Sequence, residues 1–370
     1  MKIISIVGAR PQFVKLAALS QELRREHREI ILHTGQHYDD ELSQVFFSEL
    51  SIPKPDYNLG IGSAEHGEQT GRMLAGIEEV LLFEKPDLVI VYGDTNSTLA
   101  GALAAAKQNV PVAHVEAGLR SFKKSMPEEI NRVLTDHVSS LLFCPTPTSV
   151  KNLKREGITK GVHLVGDVMY DSLVDHLKVA ERQSSVMKKL NLRNKEFYLV
   201  TVHRAENTDL KENLEKIARI LASLDKKVVF PIHPRTKKKL SQFNLLDRLL
   251  AKHNLALIDP VSYLDMLVLT KNARYVLTDS GGVQKEAFFS RTPCLTLREE
   301  TEWVETVESG WNKICGLDFK KIRTFLGGVA YLNPIKVNPF GKEKASRKIA
   351  LCLSYENISK NTSVLRKNLM

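Results

Sequence analysis

Lys2-Ile-Ile-Ser-Ile-Val7, running into Gly8-Ala-Arg-Pro-Gln-Phe-Val-Lys15, decides the fold class. A short apolar run rich in β-branched residues stops at a glycine, and a helical pattern takes over. The same punctuation recurs downstream. Glu29–His33, Asp87–Tyr92, Val110–Val115, Leu141–Cys144 and Val162–Val165 read as strands, and amphipathic stretches such as Phe13–Glu26, Gly67–Phe83 and Thr95–Lys107 lie between them. Alternation of this kind predicts a parallel sheet covered by helices. A charged stretch near Ala180–Lys195 interrupts it, and a second series follows: Phe197–His203, Lys227–Ile232, Ala256–Ile258, Tyr275–Thr278 and Cys294–Leu297. A chain of 370 residues exceeds what one core usually serves. The expectation is two α/β domains, 1–180 and 181–345, with a helical tail over 346–370 able to pack back onto the first.

Bulk properties narrow the function classes. Hydrophobic residues make up 43% and charged residues 26%, ordinary globular values. The longest apolar runs are strand-length, too short for a bilayer. No charged n-region leads into an apolar h-region, so a cytoplasmic, non-membrane protein is expected. Cys144, Cys294, Cys315 and Cys352 have neither zinc nor disulfide spacing and read as thiols in a reducing compartment. The net charge of +10 is spread along the chain, with only a short run at Lys237-Lys-Lys239. Nucleic-acid binding would need a basic stripe or a known module, so no nucleic-acid partner is expected. The surplus suits a phosphorylated ligand. General surface charge explains it equally.

Ligands of open parallel sheets bind beyond the carboxyl ends of the strands, so the residues after each strand are the candidates. Gly8–Lys15 is a glycine turn into a helix with Arg10 and Lys15. It lacks the dinucleotide fingerprint but suits an anion. A plain β–α turn with solvated cations fits as well. Gly93-Asp-Thr-Asn-Ser97 supplies helix caps in Thr95, Asn96 and Ser97, which leaves Asp94 for a ligand. Ala113-His-Val-Glu-Ala-Gly-Leu-Arg120 puts Glu116 at a strand end, where partial burial favours proton transfer. In Met126-Pro-Glu-Glu-Ile-Asn-Arg132, Pro127 starts a helix with Glu128 and Glu129 in its first turn, and one of the two fits a mere dipole partner. Asp94, Glu116 and Glu128 thus come from consecutive elements and suggest acid–base chemistry. In the second half, Thr201-Val-His-Arg-Ala-Glu-Asn207 ends a strand in His203 and Arg204. Pro231-Ile-His-Pro-Arg235 offers His233, and Arg298 follows another strand. Leu277-Thr-Asp-Ser-Gly-Gly-Val-Gln-Lys-Glu286 reads as a diphosphate cradle at Ser280, Gly281 and Gly282, with Glu286 placed for ribose hydroxyls. A glycine turn capped by Ser280 is the alternative.

Gly8–Lys15, Gly35-Gln-His37, Gly93-Asp-Thr95, His114–Arg120, Pro127-Glu-Glu129, His203-Arg204 and Thr278-Asp-Ser-Gly-Gly282 together resemble the non-hydrolysing UDP-N-acetylglucosamine 2-epimerases, in order and over nearly the whole chain. That resemblance implies two Rossmann-like domains facing a central cleft, the GT-B-like arrangement of many glycosyltransferases. It implies a cytoplasmic homodimer that inverts C2 of a UDP-linked N-acetylamino sugar, without metal or redox cofactor, by eliminating UDP to a 2-acetamidoglucal and adding it back. By position Asp94, Glu116, Glu128 and His203 match its catalytic residues. His203 supports the leaving diphosphate or exchanges a proton. Arg10 and Lys15 match substrate positions; Ser280, Gly281, Gly282 and Glu286 match the UDP site. Gln36 and His37 match part of a regulatory region.

Two departures stand out. Gln12 replaces the usual glutamate. In Thr301-Glu-Trp-Val-Glu305, Trp303 replaces an arginine, losing its charge and bidentate fork. Both resemble a branch acting on UDP-2,3-diacetamido-2,3-dideoxyglucuronic acid, which feeds surface polysaccharide biosynthesis. That substrate is therefore favoured over UDP-N-acetylglucosamine. The rival functions are a GT-B glycosyltransferase, a hydrolysing epimerase and a non-catalytic binder of sugar nucleotides.

Overall fold

Leu88-Val-Ile-Val-Tyr92 is buried at every position, as a strand must be when helices cover both faces of a parallel sheet. The computed structural model describes residues 1–36, 46–327, 338–342 and 344–354. The chain divides into two compact units, Met1–Val174 with Val337–Met370, and Asp175–Lys336. In the first, β1 (Lys2–Val7), β2 (Arg28–His33), β3 (Tyr57–Asn58), β4 (Leu88–Tyr92), β5 (Val112–Val115), β6 (Leu141–Cys144) and β7 (Val162–Leu164) form a sheet ordered β3-β2-β1-β4-β5-β6-β7. In the second, β8 (Phe197–Thr201), β9 (Lys227–Pro231), β10 (Leu255–Ile258), β11 (Tyr275–Thr278), β12 (Cys294–Thr296) and β13 (Asn312–Ile314) are ordered β10-β9-β8-β11-β12-β13. Every pairing is parallel.

Each order reverses direction once, between β1 and β4 and between β8 and β11. Crevices for ligands open at such reversals, beyond the carboxyl ends of the strands. The turns that leave those four strands begin at Gly8, Gly93, Val202 and Asp279, inside the segments singled out from sequence.

Some local readings change. The first helix runs Arg10–Leu23, three residues earlier than its apolar pattern implied, because Pro11 sits in its first turn, where its missing N–H costs nothing. The edge strands β3 and β13 escape a pattern search, being short and half-polar. The charged stretch near Ala180–Lys195 carries the end of helix Val168–Gln183 and the short helix Val186–Lys189. Met169, Leu173, His176 and Ala180 are buried at helical spacing beneath the charges. Residues 345–354 are helical and belong to the first unit, where Ser346 donates from its backbone N–H and its hydroxyl to Asp171 at 2.8 and 2.6 Å. Residues 355–370 lie outside the described residues.

Asp136, on helix Pro127–Val138, organises the loop after β5. Its buried carboxylate faces His114 Nδ1 at 2.7 Å and accepts from Gly118 N–H at 3.1 Å and Arg120 Nη1 at 2.7 Å. His114 Nε2 in turn lies 2.7 Å from the Gly93 carbonyl. Gly118 must be glycine: its φ is +78°, and a Cβ would meet the Ser149 carbonyl oxygen at 2.4 Å. Burial alone would push Asp136 up, but His114 and then Arg120 outweigh it and hold the carboxyl below its ordinary value.

Asp136→Ala leaves the buried His114 facing no carboxylate and Arg120 held only by the part-exposed Glu156, and the expected loss is about 3–5 kcal/mol in urea unfolding at neutral pH. The folded pKa is depressed, so the Asp136 contribution is complete above the ordinary value of 3.8 and is lost as pH falls below it. The gap between wild type and variant therefore narrows on acidification. A gap that stays constant down to the lowest folded pH counts against this assignment.

Candidate active site

In the first unit the turn after β4 carries Asp94. Thr95 and Thr98 cap the following helix reciprocally, Thr98 Oγ1 accepting from Thr95 N–H at 3.1 Å and Thr95 Oγ1 from Thr98 N–H at 3.4 Å. Asp94 is thereby spared from capping. Its carboxylate accepts from Arg132 Nη2 at 2.5 Å, and its carbonyl accepts from Asn131 Nδ2 at 2.9 Å. Arg132, only 2% exposed, also donates to Glu129 at 2.9 Å. Glu129 accepts from the N–H groups of Ser121 and Phe122 as well. Burial opposes ionisation of Glu129, but those two amides and Arg132 prevail and hold it below the ordinary range. Of the two glutamates after Pro127, Glu129 is thus a buried structural clamp. Glu128 is half-buried at the helix start.

Glu116 ends the next strand with φ +75°, a conformation that non-glycine residues adopt only when their surroundings impose it. Its carboxylate is paired with the Lys15 ammonium, and both side chains are more than nine-tenths buried. The pair lies directly against Gly93, where φ is +67° and a Cβ would sit 3.0 Å from Lys15 Nζ and 3.3 Å from Glu116 Oε2. A small concavity in front of the pair is lined by Phe143, Pro145, Gly166 and Asp167. Arg10 is the first residue of its helix, with its guanidinium 4.6 Å from the Phe46 ring centroid. Gln36 Oε1 accepts from Ser97 N–H and Oγ at 3.1 and 2.6 Å. His37 lies outside the described residues.

In the second unit β8 and β11 deliver His203 and Asp279. The fully buried Asp279 carboxylate accepts from His203 N–H at 3.1 Å, Arg204 N–H at 3.0 Å and Asn207 Nδ2 at 3.0 Å. The His203 ring stands 5.9 Å from that of His233, which caps helix Pro234–Gln242. Ser280 caps helix Gly281–Phe289, accepting from Val283 N–H at 3.5 Å. Gly281 is closely packed: a Cβ would meet Glu302 Oε1 at 2.2 Å and Trp303 Nε1 at 3.1 Å, so the Glu302 carboxylate would have to give way. Glu286 is buried one turn further along the same helix.

The structure gives three residues marked from the sequence internal partners. Lys15, read as a substrate ligand, spends its charge on Glu116. Arg298, read likewise, is 3% exposed and ringed by carboxylates, with Glu302 at 3.0 Å, Glu300 at 3.2 Å and Glu206 at 3.8 Å. Gln12 is fully buried scaffolding. Its Oε1 accepts from Gly8 and Ala9 N–H at 2.7 and 3.0 Å, and its Nε2 donates to the Tyr92 carbonyl at 2.9 Å. Trp303 is also buried, with the Lys285 ammonium 3.9 Å above its ring centroid. Arg132 and Asp279 lie within the sequence motifs without being singled out by them. Their signal was a charged residue in a segment otherwise assigned to a ligand. Burial pushes the Cys144, Cys294 and Cys315 thiols up, the first and last to about 12, which leaves them poor nucleophiles.

A sequence profile of the UDP-N-acetylglucosamine 2-epimerase family matches residues 21–354. A Methanococcus maripaludis UDP-N-acetylglucosamine 2-epimerase homolog is 57% identical over 94% of this chain and 98% of its own. A Pseudomonas aeruginosa UDP-2,3-diacetamido-2,3-dideoxy-D-glucuronate 2-epimerase is 50% identical over 88% of this chain and 93% of its own. The crystal structure of Methanocaldococcus jannaschii UDP-GlcNAc 2-epimerase in complex with UDP-GlcNAc and UDP matches with a TM-score of 0.90 at 48% identity, over 96% of this chain and all of that one.

Gly93→Ala drives a methyl group into the Lys15–Glu116 pair and strains a left-handed backbone position. The expected cost is more than about 1 kcal/mol of stability, with turnover of a UDP-sugar substrate reduced at least about tenfold and UDP affinity, read by calorimetry, unchanged. Turnover equal to wild type would separate the pair from the chemistry.

Proposed function

The chain belongs to the UDP-N-acetylglucosamine 2-epimerase family and is an isomerase, and from that premise we propose that it inverts C2 of UDP-2,3-diacetamido-2,3-dideoxyglucuronic acid, with UDP-N-acetylglucosamine as the alternative substrate. What carries the reading of the reaction is the pair of carboxylates on adjacent strand ends, Asp94 held by Arg132 and Glu116 held by Lys15. A proton must leave C2 from one face and return to the other, which calls for more than one acid–base group at fixed positions. Asp94, Glu116 and Glu128 supply them. As the C2 proton is taken, the C1–O bond breaks and its electron pair leaves with UDP, giving a 2-acetamidoglucal. The UDP oxygen then adds back to C1 as a proton reaches C2 from the opposite side. His203 and the Ser280-Gly281-Gly282 turn receive the departing diphosphate, Glu286 the ribose hydroxyls, and Arg10, Arg204 and His233 complete the substrate contacts.

Trp303 is the departure that bears on the substrate, since it packs against Gly281 at the diphosphate turn, whereas Gln12 is interior scaffolding. An indole in place of an arginine alters what that turn offers a ligand. The name of the P. aeruginosa relative supports the same branch.

The decisive experiment follows each UDP-sugar by NMR in deuterated water with purified protein. Expected is a C2 epimer carrying deuterium at C2, formed from the diacetamidouronate at least about tenfold faster than from UDP-N-acetylglucosamine, a difference of about 1.4 kcal/mol in the barrier. The reverse preference overturns the substrate assignment. No exchange with either sugar, despite UDP binding, overturns the epimerase reading and points to glycosyl transfer.

Asp94→Asn, Glu116→Gln and Glu128→Gln are each expected to lower turnover by about 10²-fold or more while calorimetric UDP affinity holds. Near-normal turnover in all three removes the carboxylates from the mechanism.

A further inference from the structure

Asp279 ends β11 immediately before the Ser280-Gly281-Gly282 turn. Its carboxylate is fully buried and surrounded by donors from one short loop: the N–H groups of His203 and Arg204 and the Asn207 side chain. Asn207 is itself fixed by donating to the Leu297 carbonyl at 3.0 Å. The side chain of His203 turns toward the same carboxylate, with Nδ1 3.5 Å from Oδ1, while 40% of that side chain remains exposed. We propose that Asp279 is the positioning residue of a histidine–aspartate dyad, one that sets the tautomer and orientation of His203 for acid–base work on the diphosphate leaving group.

A carboxylate facing Nδ1 favours the proton there and directs the opposite nitrogen, Nε2, outward, the logic by which a buried aspartate orients a catalytic histidine. The 3.5 Å separation exceeds a tight hydrogen bond, and such contacts commonly shorten once a ligand is bound. The His203 backbone N–H is held by the same carboxylate, so little rotation of the ring closes the gap. In the elimination direction the imidazolium gives its Nε2 proton to the UDP oxygen as the C1–O electron pair moves onto that oxygen. The ring is left neutral with its remaining proton on Nδ1. In the return direction Nε2 takes the proton back as UDP re-adds to C1. Because Asp279 is followed directly by the glycine turn, the chain segment that cradles diphosphate also orients the group that protonates it. The proposal rests on the reading of His203 as a leaving-group residue.

The test compares wild type with His203→Gln, Asp279→Asn and the double variant, measuring epimerisation and UDP affinity, together with the nitrogen resonances of the His203 ring in the wild-type protein. Expected are a fall in kcat of about 10²–10⁴-fold in each single variant, a double variant no worse than the poorer single, UDP affinity within about threefold of wild type, and, in the neutral form of the ring, the proton on Nδ1. Asp279 acting only as a backbone clamp would instead give losses that multiply in the double variant, or a neutral form of the wild-type ring with its proton on Nε2. Either result overturns the dyad. Should His203→Gln keep full turnover, the leaving-group reading itself falls. Should only Asp279→Asn keep it, the dyad alone falls. If Asp279→Asn does not fold, the wild-type ring resonances decide.

Discussion

The buried carboxylate of Asp136 is the contact on which the first unit's chemistry depends. An ionised carboxylate inside a protein is costly unless every lone pair finds a donor. Asp136 finds its donors in His114 of β5 and in Gly118 and Arg120 of the loop that follows, and those three residues span the position of Glu116. The motif His-Val-Glu-Ala-Gly-Leu-Arg is therefore a scaffold with Glu116, the proposed acid–base residue, in its middle. Through His114 the same network reaches the Gly93 carbonyl and so the turn that carries Asp94. Neither carboxylate has to be held by its own strand alone.

The second unit repeats the device with different residues. Asp279 is buried at a strand end and gathers donors from the loop that carries His203 and Arg204. In both units a buried acidic side chain is consumed in building a loop after a strand, and the group proposed for chemistry, Glu116 or His203, is a different one. The cations follow the same rule. Lys15, Arg132 and Arg298 each lie among carboxylates, so much of the positive charge in the candidate site balances internal acids. The net charge of +10 cannot be taken as the charge a substrate meets.

The parallel sheets, their helices and the strand-end turns were legible in the sequence because continuous apolar runs, glycines and helix starts are local signals. Asp94, Glu116, His203 and the Gly281-Gly282 turn could be picked out as candidates for the same reason, each standing just after a strand. What local reading missed was partnership. Lys15 and Glu116 lie 101 residues apart in the chain and Asp94 and Arg132 lie 38 apart, and no spacing rule joins such pairs. Gln12 looked like a mark of substrate branch. Its amide also accepts from the turn after β1 and donates to the end of β4.

By itself the sequence determined the fold class, the family and the small set of strand ends where chemistry could lie, because each of these is written in contiguous stretches. Only the tertiary structure decided which charges are spent on one another. That depends on which turns the sheet order brings side by side and how deeply each group is buried, and a buried charge accepts whichever partner lowers its desolvation cost, however distant in the chain.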